Sequence, residues 1–162
     1  MKRHHLTLVI LLLTSPLLTP EIVAAELHKD WLKHLAGVWS SKDSMGTTGE
    51  SKADLRLDGN LVVSKGKNSL GLEVMTVTAW EPDKQALVMT SYDNSGMYFR
   101  IIFNKITATS ITGAQTGQAE GLGTYTGQMT LTKTAKGYQW TGKFKTANGE
   151  QAEVQGTSTR KK

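Results

Sequence analysis

Apolar and polar residues alternate in short segments along most of the chain, and turn-forming residues separate the segments at intervals of roughly 8 to 15 residues. Thr, Val, Ile and aromatic side chains are frequent in these segments, as they are in β-strands. The pattern predicts ten strands, at 38–45, 50–58, 60–65, 71–80, 85–92, 97–104, 106–112, 122–132, 137–146 and 150–159. The connections are too short for a crossover helix, so neighbouring strands are expected to pair antiparallel.

The last predicted hairpin shows the alternation most clearly. Its turn contains Asn148-Gly149, a pair that accepts the two positive φ values of a type I′ turn. In the strand before the turn, one face carries Tyr138, Trp140, Gly142 and Phe144, and the other carries Gln139, Thr141, Lys143 and Lys145. One face of this hairpin is therefore expected to be buried and the other to face solvent.

About ten antiparallel strands in one domain must protect their edges from pairing with other chains. Closure into an up-and-down barrel does so, and we favour it over a β-sandwich. The weakest part of the pattern is the glycine-rich segment 112–123, which we predict to be a mobile loop at one mouth of the barrel. The predicted fold class is all-β.

One short helix is predicted before the first strand. Leu27, Trp31, Leu32 and Leu35 form a single apolar stripe on a helix, and Gly37 is expected to end it. A helix this short is marginal alone, so its stripe is expected to dock on the sheet.

The first 25 residues are predicted to be a cleavable secretory signal peptide. A basic start at 1–5 is followed by an almost wholly apolar run at 6–18, and Val23-Ala24-Ala25 supplies small residues at the −3 and −1 positions. The apolar run is shorter than the roughly 18 to 20 residues that a membrane-spanning helix needs. The protein is therefore expected to be exported, to the periplasm or the medium, as a single domain of residues 26–162.

Composition narrows the possible chemistry. The chain has no cysteine, which removes a lipoprotein anchor and a disulfide framework. Loss of Lys2, Arg3 and Glu21 with the leader would change the net charge only from +5 to +4. The one run of like charge, Arg160-Lys161-Lys162, is predicted to be a frayed, solvated end, with contact to anionic lipid, polysaccharide or nucleic acid as the alternative.

Four short motifs carry a resemblance to a known family: Leu35-Ala36-Gly37-Val38-Trp39, Ala79-Trp80-Glu81-Pro82-Asp83, Ser91-Tyr92-Asp93-Asn94-Ser95-Gly96 and Asn148-Gly149. The sequence resembles the lipocalin-like (calycin-type) domains of unknown function found in exported bacterial proteins. The resemblance implies a barrel closed near the Gly-x-Trp pair, with structural roles for Gly37, Trp39 and Trp80. It implies no particular function.

The chain departs from two functional relatives of that family. Haem-binding barrels of the nitrobindin type use a histidine inside the barrel, whereas the only histidines after the leader are His28 and His34 on the predicted helix. True lipocalins usually carry disulfides, which this chain cannot form. We therefore predict no cofactor.

No arrangement of residues points to catalysis or to a metal. His28 and His34 lie about 120° apart on a helical wheel, and we expect both to be exposed rather than to share a metal. Gly121–Gly127 departs from the nucleotide-binding glycine pattern and is predicted to be the start of a strand. The carboxylates are scattered, so a hydrolase or isomerase is the least favoured function and no catalytic residue is proposed.

A polar and aromatic cluster on two neighbouring strands supplies candidate ligand-binding residues, Tyr92, Tyr98 and Arg100, to which we add Tyr125. An inward Arg100 could bind a carboxylate. By alternation, however, Phe99 and Ile101 point the opposite way from Arg100. Because the apolar face is the expected core face, Arg100 is predicted to lie outside.

The favoured function is a non-enzymatic barrel that binds a small apolar or amphipathic ligand in its interior. The alternative is an envelope module that engages polysaccharide or protein. The tryptophans after the leader are expected to lie in the core rather than to stack nucleobases, and no nucleic acid partner or stable membrane insertion is predicted.

Overall fold

The computed structural model describes residues 20–121 and 123–161. A helix, α1 (Pro20–Leu35), precedes ten strands, and a short 3₁₀ turn at Leu57–Gly59 follows the second of them. The strands are β1 (Gly37–Asp43), β2 (Thr48–Arg56), β3 (Leu61–Asn68), β4 (Glu73–Glu81), β5 (Ala86–Asp93), β6 (Tyr98–Ile106), β7 (Ser110–Ala119), β8 (Gly123–Thr134), β9 (Gly137–Thr146) and β10 (Gln151–Arg160). The all-β prediction with one short helix is confirmed.

The ten strands form a closed barrel in sequence order. Each strand pairs antiparallel with its neighbours in the chain, and β1 pairs with β10, where Trp39 lies opposite Arg160. Closure leaves no strand edge within the described sheet, which is the reason that alternating sequences of this length favour a barrel. The up-and-down barrel is confirmed over the sandwich.

The glycine-rich segment is the largest error in the sequence prediction. Instead of a strand at 106–112 and a mobile loop at 112–123, β6 continues to Ile106 and β7 covers Ser110–Ala119, paired on both sides. A Cβ on Gly113 would lie 2.1 Å from the carbonyl oxygen of Ile102, and one on Gly117 would lie 2.4 Å from the Tyr125 ring. These glycines allow close approach within the sheet rather than flexibility.

Helix α1 closes one end of the barrel. Trp31 and Leu32 are fully buried, Leu35 is nearly so, and the indole N–H of Trp31 donates to the carbonyl oxygen of Thr107 at 2.7 Å. Buried residues of the helix and the strands form one core cluster, so the helix packs into the core as its stripe predicted. No helix among the described residues has both the length and the apolar character needed to cross a membrane.

The predicted signal peptide lies mostly outside the described residues, which begin at residue 20. The predicted cleavage point after Ala25 falls within α1. The helix residues that contribute to the core, Trp31, Leu32 and Leu35, follow that point.

The opposite end of the barrel, which we call the mouth, is bordered by hairpin turns of a shared design. In three neighbouring turns, a side-chain oxygen accepts hydrogen bonds from the backbone N–H groups two and four residues later; these residues are Asp43, Asn68 and Asp93. Side-chain bonds of this kind hold a turn in one conformation. The mouth therefore has an ordered rim on this side.

The C-terminal basic residues are ordered, so the prediction of a frayed end is wrong for Arg160 and Lys161. The guanidinium of Arg160 donates to the carbonyl oxygens of Ala36 at 2.7 Å and His34 at 2.8 Å, and lies 4.5 Å from the centre of the Trp39 ring. Helix C-termini carry unsatisfied carbonyls and partial negative charge, which a cation stabilises. The side chain of Lys161 pairs with Glu50; Lys162 lies outside the described residues.

Candidate ligand cavity

A cavity of about 210 Å³ lies inside the barrel, between the end of α1, strands β1 to β5 and the start of β9. We call it the interior cavity. Its lining residues are Leu35, Trp39, Ser51, Ala53, Val62, Ser64, Gly66, Val74, Thr76, Thr78, Met89 and Tyr138. At about 30 Å³ for each molecule of liquid water, this volume corresponds to roughly seven waters. It suits a small organic molecule.

The lining has two chemically different parts. Leu35, Trp39 and Tyr138 form an apolar and aromatic floor at the helix end, where the rings of Trp39 and Tyr138 meet edge to face with centroids 5.0 Å apart. Strands β2 to β4 contribute a wall rich in hydroxyl groups, from Ser51, Ser64, Thr76 and Thr78.

None of the described residues that line the interior cavity is charged. A tyrosine hydroxyl is protonated at neutral pH, and burial raises the pKa of Tyr138 further above its ordinary value. A charged ligand would lose its hydration here without gaining a counter-charge from these residues, which is costly. The cavity therefore favours a neutral, mainly apolar molecule with a hydrogen-bonding group.

A second polar feature of the interior lies on β7 and β8. Gln115 is only 3 % exposed, and its Nε2 lies 3.4 Å from the hydroxyl oxygen of Tyr125. Its Oε1 is buried and has no hydrogen-bond partner within residues 20–121 and 123–161. The Tyr125 phenol is likewise neutral at neutral pH, and burial raises its pKa further.

Of the four candidate ligand residues, only Tyr125 faces the interior. Tyr92 and Tyr98 are 53 % and 40 % exposed, and their rings lie side by side on the outer wall with centroids 6.4 Å apart. Arg100 is also outside, where it forms an ion pair with Glu81 at 3.1 Å. Tyr92 and Tyr98 therefore do not line the barrel interior, because the inward positions of β5 and β6 are held by residues of the other parity, such as Ile101.

The three residues with expected structural roles lie at the helix end of the barrel. Gly37 joins the helix to β1 with a φ of 138°, a region that favours glycine. The indole N–H of Trp39 donates to the carbonyl oxygen of Leu35 at 2.9 Å. Trp80 stacks on His28 with ring centroids 4.4 Å apart.

The prediction of two exposed histidines is wrong. His28 is 5 % exposed beneath Trp80, and His34 is half-buried with its ring against Trp39 and Tyr138. The apolar stripe alone did not reveal this, because the helix lies deep enough in the barrel end to bury positions on both sides of the stripe. Among the described residues, no group of three or more His, Cys, Asp or Glu side chains could hold a metal ion.

His34 should make stability depend on pH. Its Nε2–H donates to the carbonyl oxygen of Gly137 at 3.1 Å, and burial, followed by nearby Lys133 and Arg160, lowers its pKa below the ordinary 6.5. The unfolded chain therefore binds the proton at a higher pH than the folded protein does. We expect stability to be greatest above pH 6.5 and to fall as the pH drops from 6.5 towards the folded pKa.

The measurement is the melting temperature between pH 7.5 and pH 5.0. A His34→Gln variant keeps a side-chain donor but does not titrate, so its melting temperature should fall less over this interval. If the melting temperature fell equally with pH in both proteins, His34 would not be the cause of the pH dependence.

The sequence prediction did not identify the hydroxyl wall of the cavity or Gln115. A signal for the wall was present, since Trp80 was expected in the core and alternation along β4 places Thr78 and Thr76 on the same face. No such signal points to Gln115, because the sequence pattern predicts a loop for its segment.

No known protein family matches the chain, and no curated protein matches it. Similar solved structures include a de novo designed fluorescence-activating β-barrel and EF1p2_mFAP2b bound to DFHBI. The first is 14 % identical with a TM-score of 0.37, and the match covers 82 % of this chain and 98 % of that one. The second is 11 % identical with a TM-score of 0.40, covering 83 % and 99 %. Similarities this distant say nothing about what this chain binds.

Proposed function

We propose that this protein is a non-enzymatic carrier or receptor that binds a small, neutral, mainly apolar molecule inside its barrel. The observation that supports this most directly is the interior cavity, about 210 Å³ in volume, between an aromatic floor and a wall of hydroxyl groups. Binding sites for small molecules are typically concave and mostly apolar, with a few polar groups that orient the ligand. The lining of the cavity has this composition.

The proposal includes export and a lipocalin-like assignment. The basic and apolar segments before Ala25 support export, and the Gly37-Val38-Trp39 motif at the closed end of the barrel supports the assignment. The alternative is an envelope module that engages polysaccharide or protein; contacts of Arg160 and Lys161 within the protein make these two basic residues less available for such a partner.

Filling the interior cavity should weaken binding strongly. Ser64 lies on β3 with its side chain in the cavity lining, and Ser64→Phe would place a benzene ring there. We expect the variant to bind 1-octanol at least about tenfold more weakly than the wild type, because ligand and ring compete for one space. Binding can be followed by calorimetry and by the NMR signal of the Met89 methyl group, which also lines the cavity.

The matched control is Lys65→Phe, which introduces the same ring one residue later on the outer face of β3. It should bind 1-octanol as the wild type does. Full affinity in the Ser64→Phe variant, with its fold intact by circular dichroism, would mean that the ligand does not occupy the interior cavity.

A further inference from the structure

The hydroxyl groups on the wall of the interior cavity differ in their hydrogen bonding. The hydroxyl of Thr76 is bonded to that of Ser91, with the two oxygens 2.9 Å apart. Ser51, Ser64 and Thr78 also line the cavity, but their hydroxyls make no hydrogen bond to another side chain in residues 20–121 and 123–161. A hydroxyl that loses water as its partner and gains no other costs free energy. A ligand that covers these hydroxyls must therefore supply a hydrogen-bonding group.

Ser64 and Thr78 are close enough to share one such group. Ser64 on β3 pairs with Thr76 on β4, and Thr78 lies two residues further along β4, opposite Val62. Residues in this diagonal relation on paired strands are about 7–8 Å apart, and their side chains on one face lie closer than that. A single polar group between them can therefore contact both hydroxyls.

The aromatic floor of the cavity adjoins this wall. Trp39 on β1 pairs directly with Ser51 on β2, and its ring meets that of Tyr138 edge to face. Met89, which pairs with Thr78, lines the cavity on the other side of the wall. Aromatic rings pack favourably on other aromatic rings and against a thioether sulfur. The surroundings of the two hydroxyls therefore suit an aromatic ring.

We propose that the interior cavity binds a small aromatic alcohol, with its ring on the aromatic floor and its hydroxyl between Ser64 and Thr78; this inference rests on the proposed function. A hydroxyl can donate to one of these two oxygens and accept from the other. The volume of about 210 Å³, equivalent to roughly seven waters, matches a single ring with a short side chain. Ser64 and Thr78 thus determine the specificity for the oxygen group of the ligand.

Two matched ligands test the role of these hydroxyls. Benzyl alcohol and ethylbenzene have the same number of non-hydrogen atoms and differ by the exchange of a hydroxyl for a methyl group. Each is titrated calorimetrically into the wild type, Ser64→Ala and Thr78→Val, and the ratio of the two affinities is compared between proteins. The greater hydrophobicity of ethylbenzene is the same in every titration and cancels in this comparison.

We expect the affinity ratio of benzyl alcohol to ethylbenzene to fall about fivefold to tenfold in each variant, as the loss of one hydrogen bond predicts. Thr90→Val is the matched control, because Thr90 follows Met89 on β5 and pairs with Arg100 on the outer face. This variant should keep the wild-type ratio.

The aromatic ring is tested with cyclohexylmethanol, the saturated counterpart of benzyl alcohol. Met89→Leu removes the sulfur at nearly constant volume, and should lower the affinity ratio of benzyl alcohol to cyclohexylmethanol by about twofold to tenfold. Met75→Leu makes the same change at a position on β4 that is 42 % exposed, and should leave the ratio unchanged. An unchanged ratio in Met89→Leu would overturn the assignment of an aromatic ligand.

The failure of this inference is distinguishable from that of the proposed function. If Ser64→Ala or Thr78→Val kept the wild-type ratio of benzyl alcohol to ethylbenzene, the inference would be overturned and the proposed function would stand. Binding of 1-octanol without binding of the three ring compounds would have the same meaning. Absence of binding by all four compounds would overturn both proposals.

Discussion

Replacing Trp31 by alanine is expected to lower the free energy of unfolding by about 3–5 kcal/mol, as removal of a fully buried aromatic side chain usually does. Trp31 is 0 % exposed, its N–H bonds to Thr107, and the ammonium of Lys133 lies 4.5 Å above its ring. Domains of this size are stable by only about 5–15 kcal/mol, so the loss would be a large share of the total. The measurement is equilibrium unfolding in urea, followed by circular dichroism.

Two further variants separate the contribution of Trp31 packing from that of its hydrogen bond and control for a change on the helix surface. Trp31→Phe keeps most of the packing but removes the hydrogen bond to Thr107, and should cost less than the alanine variant. Lys33→Ala, on the exposed side of the same helix, should stay within about 0.5 kcal/mol of the wild type. A cost below about 1 kcal/mol for Trp31→Ala would contradict the docking of the helix in the end of the barrel.

Replacing Gly127 by alanine is expected to lower the free energy of unfolding by about 2–3 kcal/mol, because overpacking forces the backbone to shift. A Cβ at this position would lie 2.0 Å from the carbonyl oxygen of Lys143 and 2.9 Å from the Cα of Phe144, both on the paired strand β9. A backbone atom cannot rotate aside as a flexible side chain can. The same urea titration measures the loss, and a shift of the strands would also appear in the amide NMR spectrum.

Gly121→Ala is the matched control for this effect. Gly121 has a φ of 76° but its added Cβ would meet nothing within 4 Å, so only the backbone conformation is strained, at about 1–2 kcal/mol. If Gly127→Ala cost less than Gly121→Ala, close approach of β8 and β9 would not be the reason for the glycine.

Alternation was sufficient to predict most of this fold. Where large apolar side chains occupy every second position, as in β9 with Tyr138, Trp140 and Phe144, one face must be buried and the strand follows. The short turns then require antiparallel neighbours, and the need to protect edges favours a barrel. β7 was not predicted because two of its inward positions are Gly113 and Gly117, whereas the alternation pattern identifies a strand by apolar side chains at such positions. Their role is a close contact with another strand, which local sequence does not show.

The sequence predicts that an interior site exists, but not which residues line it. An interior pocket follows from a barrel of ten strands, but which residues line it depends on the parity of each strand. Alternation with Ile101 correctly predicts that Arg100 lies outside the barrel. The same alternation places Tyr98, two residues before Arg100 on β6, on the outer face as well, although Tyr98 was a candidate ligand residue. The contacts of Arg160 with the end of α1 join residues more than 120 positions apart. Such contacts depend on barrel closure.

Uptake of a small neutral molecule into a hollow barrel interior is tested most directly by titration of the wild type and Ser64→Phe with 1-octanol, observed at the Met89 methyl group. We predict a saturable shift of that signal in the wild type, with a heat of binding that fits the same affinity, and its loss in the variant. An unchanged Met89 signal at saturating 1-octanol, or an identical shift in both proteins, would contradict it.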